Sequence, residues 1–168
     1  MVREVDALRH LDLPTRAIAE AWAKREPHRE IPFTPLRKPL AECRVALLSS
    51  AGLVRTTEPP FDQEGERRNP WWGDPSFRVM PSDIRTEEVR CCHLHINSRT
   101  MESDINCALP VNRLKELAAD GIIGEVAPRH VSTMGYVLHT ETLERETAPR
   151  VAELFLDDGV DAVVLAPV

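Results

Sequence analysis

The chain reads as an α/β domain of three layers, a mostly parallel sheet with helices on both faces. Three observations predict this fold class: apolar runs of strand length recur, segments of helical period separate them, and the runs are continuous rather than alternating. With 168 residues and 42% hydrophobic composition, a single domain spanning 1–168 is expected, since domains typically run to about 100–200 residues. A net charge of -6, with no basic run interleaved with aromatics, argues against nucleic acid as a partner. No apolar run reaches the roughly 20 residues that span a bilayer, and the charged start MVREVDALRHLDLP lacks a signal-peptide core. No membrane partner and a cytoplasmic location are therefore expected. Cys43, Cys91, Cys92 and Cys107 follow neither a disulfide framework nor a paired zinc spacing, so reduced thiols are expected.

The elements follow in order. Asp12 suits a helix cap, Pro14 falls in the first turn, and Ala17, Ile18, Ala21 and Trp22 share one face until the helix stops before Pro27. A connector rich in proline leads to CRVALLSS, a buried strand from Cys43 to about Ser49, and Ala51-Gly52 turns the chain. Residues 56–75 form a long polar loop carrying Trp71-Trp72 before Gly73, of a length that is usually functional or mobile. Phe77 to Met80 is a short strand, a turn or brief helix runs from Ser82 through Glu88, and CCHLHIN from Cys91 is a third strand. Pro110 suits the first position of the helix VNRLKELAAD, which Gly121 ends. GIIGEVA returns as a fourth strand. Thr142 to Asp157 has helical spacing, but Pro149 forces a kink or restart near Thr147. DAVVLAPV closes the sequence as a buried strand.

In a parallel sheet, ligands gather at the carboxyl ends of the strands. That edge would carry Ser49, Ser50 and Gly52 after the first strand, Asn97 and the loop to Asn106 after the third, and His130 after the fourth. His93 and His95, two apart in a strand, would share a face and hold a substrate, a metal or each other. Asp104 and Asn106 either cap the following helix or present a carboxylate and an amide to a substrate. His130 suits proton transfer if its ring faces the cleft. A zinc site built on His93, His95, Asp104 and His130 is an alternative, with Cys107 within reach, though no compact ligand motif is present. The cysteines read as small buried hydrophobes, and no phosphate-binding or nucleophile-elbow motif occurs.

The blocks RVALLSSAGL, EPPFD, DPSFRVMP, HLHIN, SDINCALPVNRLKELAADGIIGEVAPRHVSTMGY and DDGVDAVVLAPV occur in the order found in the selenoprotein B family of glycine, sarcosine, betaine and D-proline reductases. The chain resembles that family from Cys43 onward. The resemblance implies the amino-terminal portion of a longer domain, in which the strand matching DAVVLAPV runs into a selenocysteine or cysteine just after Val168. It further implies reductive cleavage of a C–N or other carbon–heteroatom bond in a small amine or amino-acid-like substrate. A carbonyl-bearing partner subunit and a thiol reductant are the partners it suggests, and the uncovered terminal strand is expected to favour a homo-oligomer. Carried over, His93, Asp104, Asn106 and His130 match the family's polar positions, with His130 and Asp104 as the catalytic candidates and His93 and Asn106 as substrate binders. The strand-edge and strand-face readings add Ser49, Ser50, Gly52 and His95 to the substrate-binding set. On this reading a stop after Val168 reflects a recoded UGA, and the 168 residues alone are expected to be inactive in the selenolate step. Two rival functions remain: a metal-dependent hydrolase on the zinc set, and a binding module without catalysis.

Overall fold

A computed structural model of the chain describes residues 8–25, 34–69, 71–94 and 96–168. The chain forms two compact units, Met1–Pro35 and Leu36–Val168. The first carries helix α1, Leu13–Arg25, opened as expected by Asp12, whose Oδ1 accepts the Thr15 N–H at 2.9 Å.

The second unit is built on β1, Arg44–Ser49. One side of β1 pairs in parallel along its length with β7, Ala162–Ala166. The other side pairs in parallel first with β5, Glu125–Val126, then with β6, Arg129–Thr133. The expected GIIGEVA strand is thus short, and Pro128, lacking an N–H, separates it from the following strand. Beyond β6 lies β3, Phe77–Pro81, which is antiparallel. Among the described residues the sheet is mostly parallel, with β3 as its antiparallel member.

Successive β1 side chains point to opposite faces. Val45 and Leu47 pack with Ile105, Leu109 and Leu114, the last of these on helix α4, Val111–Ala119. Ala46 faces the other way, toward Val131, Val151 and Phe155, the last two on helix α5, Ala148–Asp157. Helices therefore cover both faces, as the continuous apolar runs required. A π-helical turn, Leu143–Thr147, hands over to α5 with Pro149 in its first turn, so the restart falls where expected. Gly121 and Gly159 end α4 and α5 with φ of 70° and 66°, the left-handed conformation that glycine adopts without strain. No helix among the described residues is long and apolar enough to cross a membrane.

Two expectations are corrected. CCHLHIN is not a strand of the main sheet. Only Val89–Cys91, strand β4, is extended, and it pairs antiparallel with β2, Leu53–Arg55, in a separate two-stranded sheet. His93 therefore lies beyond a strand end, and His95 lies outside the described residues. The second correction concerns β7, whose sequence suggests burial on all sides. Among the described residues it pairs only with β1, and Leu165 is 68% exposed.

His130 belongs to the core. It sits inside β6 rather than after a strand and is fully buried, with Nδ1 accepting the Leu47 N–H at 3.1 Å. Nε2 has no hydrogen-bond partner among the described residues. Burial, reinforced by the charge of Lys115 and opposed by that of Asp158, pushes the His130 pKa from 6.5 down to about 4. The ring is neutral at pH 7, with Nδ1 as the acceptor.

Two outcomes are expected. Leu47→Ala removes a fully buried side chain from the central strand and should cost about 2–5 kcal/mol of stability, measured by urea unfolding. The second concerns pH. Because the unfolded chain protonates His130 near 6.5 and the folded chain only near 4, the unfolded state binds more protons between those values. Stability should therefore fall as pH drops through that window, by on the order of 3 kcal/mol at full extent. In His130→Asn, whose amide oxygen can replace Nδ1 as acceptor, the slope of urea midpoint against pH in this window should shrink. An unchanged slope would show that other groups carry it.

Candidate functional site

The carboxyl ends of β1, β6 and β7 meet at one edge of the sheet. At the end of β1 the Ser50 N–H donates to the Ala166 carbonyl at 3.2 Å, and Ser50 Oγ accepts the Val168 N–H at 3.0 Å. The same hydroxyl lies 3.5 Å from the Val168 carbonyl. Ser50 therefore fixes the main chain where it leaves β7. Its neighbour Ser49 is buried, and Ser49 Oγ accepts the Ala51 N–H at 3.2 Å, which bends the chain out of β1.

Gly52 has φ of 63° and ties three segments together. Its N–H donates to the Thr133 carbonyl at 2.9 Å, and its carbonyl accepts the Cys92 N–H at 2.8 Å. A β-carbon on Gly52 would fall 2.7 Å from Met134 Sδ and 3.2 Å from the His93 nitrogen. Only glycine suits this place, because both the backbone conformation and the space demand it.

Gly135, directly after the bridge between Ala51 and Met134, completes the edge. A β-carbon there would lie 2.8 Å from the Ser50 carbonyl, 3.0 Å from His93 Nε2 and 3.2 Å from the Val168 carbonyl. The His93 imidazole thus rests over Gly135, beside the end of β7, and is 8% exposed. Its backbone is held from both sides, since the preceding residue, Cys92, bonds to Gly52 through its N–H and accepts Gln63 Nε2 at 2.7 Å through its carbonyl. An imidazole so placed can hold or move a proton next to whatever group approaches the end of β7.

Of the residues expected at the site, Ser49, Ser50, Gly52 and His93 come together. His130 is enclosed in the core, its Nδ1 occupied by Leu47. Asp104 and Asn106 brace their own loop: Asp104 Oδ1 accepts from the Asn106 N–H at 2.9 Å and from Asn106 Nδ2 at 2.8 Å. These bonds hold the Asp104 carboxyl below its ordinary pKa. Asn106 Oδ1 in turn accepts the Asn112 N–H at 2.9 Å, closing the first turn of α4. Among the described residues, no three potential metal ligands gather. Cys91 Sγ lies 3.2 Å from the Ala51 carbonyl, and burial pushes its thiol pKa up, away from thiolate reactivity.

Sequence reading missed Gln63, Gly135 and Ser132, whose Oγ accepts the Leu53 N–H at 2.8 Å and so ties the small sheet to β6. Gly135 carried a readable signal, because a glycine just past a buried strand marks a close approach of backbone. Gln63 carried none.

Three comparisons place this geometry. A family model described as glycine/sarcosine/betaine reductase selenoprotein B matches residues 24–168. The gamma subunit of D-proline reductase from Acetoanaerobium sticklandii is 32% identical over 133 residues, which is 79% of this chain and 52% of that protein. The beta subunit of the sarcosine reductase complex component B from Peptoclostridium acidaminophilum is 24% identical over 135 residues, 80% of this chain and 30% of that protein. The chain thus spans about half the length of the first relative and under a third of the second. No solved structure gives a significant match. The ordered sequence blocks and a family match that runs from the end of α1 to the last residue of β7 and beyond lead to one conclusion: the chain belongs to the glycine/sarcosine/betaine reductase selenoprotein B family.

Proposed function

We propose that this chain supplies the nucleophile-bearing site of a multi-subunit reductase that cleaves a C–N bond in a small amine. The reading is carried by one observation: Ser50, Gly135 and His93 converge on the main chain at the end of β7. A selenocysteine or cysteine joined directly after Val168 would leave the sheet beside the His93 ring. The carbonyl ends of parallel strands are where such folds place their chemistry, and the relatives are subunits of D-proline and sarcosine reductases.

In the proposed reaction the selenolate attacks the α-carbon, forming a C–Se bond while the C–N bond breaks. The nitrogen leaves with the bonding pair and takes a proton, for which His93 is the placed donor. A thiol then attacks selenium, the carbon departs with its electron pair and is protonated, and a second thiol releases the selenolate and leaves a disulfide. Two thiols thus supply the two electrons that the cleavage consumes. Ser50 orients the strand end, and Gly52 and Gly135 let Ser50, Met134 and His93 close around it. In this scheme Asp104 and Asn106 act through the helix they brace, and His130 acts through β1. A partner subunit with a carbonyl that condenses with the amine fits the reading, as does assembly of several copies.

The deciding experiment uses protein in which a selenocysteine or cysteine follows Val168. Reduced and treated with an alkylating probe, it should be labelled at that residue, and an absence of labelling overturns the nucleophile assignment. In the same extended protein, assayed with its partner subunits, Gly135→Ala should lower turnover on the order of tenfold to a hundredfold by displacing His93 and the Ser50 carbonyl. Wild-type turnover from folded Gly135→Ala would exclude this arrangement as the site.

A further inference from the structure

The block EPPFD and the helix after it, α2, Gln63–Arg68, lie in the segment read as a polar loop, and they fold as a brace beside the strand edge. Phe61 is buried and packs with Val54, Cys92 and Met134, the last two being the residues directly before His93 and Gly135. The Arg78 guanidinium, from β3, stands 4.2 Å from the centre of the Phe61 ring and donates to the Pro60 carbonyl at 3.1 Å. The excursion is fastened beyond Phe61 as well. Asp62 Oδ1 accepts the Gly65 N–H at 2.8 Å and opens α2, while the Asp74 carboxylate accepts the Asp62 N–H at 2.9 Å. Gly73 then runs so near Tyr136 that a β-carbon there would fall 1.8 Å from the Tyr136 carbonyl oxygen.

From this footing Gln63 reaches the chain just before His93. The ladder between β2 and β4 ends at the pair Leu53 and Cys91, so the Cys92 carbonyl lies past its last rung. It takes its hydrogen from Gln63 Nε2 instead, at 2.7 Å. A peptide group is planar, so the Cys92 carbonyl and the His93 nitrogen turn as one unit. Gly52 hems that unit in, since a β-carbon on Gly52 would fall 3.2 Å from the His93 nitrogen and 3.6 Å from the Cys92 carbonyl carbon. Gln63 holds its oxygen end. Rotation of this peptide would swing the imidazole away from Gly135, where a β-carbon would lie 3.0 Å from His93 Nε2.

We propose that Gln63 is a positioning residue: its amide, on the footing that Phe61 provides, fixes the peptide before His93 and so sets where the imidazole stands over Gly135. A neutral amide suits this task, because it brings a donor to a carbonyl without placing a charge beside the ring. The consequence for turnover rests on the reading of His93 as proton donor given above. The position of the ring is measurable without turnover.

Nuclear magnetic resonance of the folded, isotope-labelled full chain tests it. Gln63→Met keeps the length and removes the donor, and the ionised carboxylate of Gln63→Glu has no hydrogen to give. In both, the ring signals of His93 should shift while those of the core residue His130 stay in place. Glu64→Ala, exposed on the same helix, should move neither. His93 signals that stay in place in the folded variants overturn the proposal, and so does an equal movement of His130, which would mark a general loosening. In wild type the Gln63 carboxamide protons should exchange with water more slowly than those of an exposed amide; equal rates overturn the proposal, and this measurement needs no variant to fold. In protein carrying a nucleophile after Val168, assayed with its partner subunits, Gln63→Met should lower kcat about tenfold and change KM less than about twofold. If the His93 signals move and kcat does not, Gln63 positions the ring and the proton-donor reading of His93 falls.

Discussion

Parallel pairing of β1 with β7 on one side and with β5 and β6 on the other is the constraint from which the rest follows. Parallel strands bring their carboxyl ends to a single edge. Ser50 and Val168 meet because Val45 through Ser49 pair in register with Ala162 through Ala166. Gly52 and Gly135 then close the edge, because the chain leaving β1 bonds to Thr133 at the end of β6. A slip of one residue in this register would turn Leu47 toward α5 and Ala46 toward α4, and would separate Ser50 from the strand end. The same alternation that buries the core thus places the site.

The two described histidines of the central region show how position on this scaffold assigns their chemistry. His130 lies within β6, where a backbone N–H occupies Nδ1 and apolar neighbours keep the ring neutral. Its contribution is structural: it locks β1 to β6 at Leu47. His93 lies past the end of β4, with its ring over a glycine at the edge of the sheet. One imidazole is enclosed within the sheet and the other lies at its carboxyl edge, beside the end of β7.

Much of this was legible in the sequence. β1, β3 and β7, the caps at Asp12 and Gly121, and the restart before Pro149 follow from local signals that the tertiary structure respects. Ser50 and Gly52 were recognisable because residues just past a buried strand of an α/β sheet fall at the ligand-binding edge. The small sheet was hidden, since Leu53–Arg55 and Val89–Cys91 are extended only because they pair with each other across a long excursion. The burial of His130 within β6 was hidden because burial is set by long-range packing, and a histidine ending an apolar stretch reads the same whether it faces a cleft or a core. Helix α2 escaped notice for a physical reason: its inward face carries Gln63 and Glu66 rather than aliphatic residues, so no apolar period appears.

The tight crossing of Gly73 over Tyr136 has an evolutionary corollary. Because the Asp62 N–H bonds to the Asp74 carboxylate and Gly73 crosses Tyr136 beside it, exposed residues such as Glu64, Arg67 and Arg68 can be exchanged without disturbing the sheet beneath, whereas Gln63, which holds the Cys92 carbonyl, is constrained. Diversification among homologues is then cheapest inside this clip and most restricted at its hinge glycine. On the proposed reading, changes among those exposed residues would remodel the surroundings of the strand edge and leave the edge itself untouched.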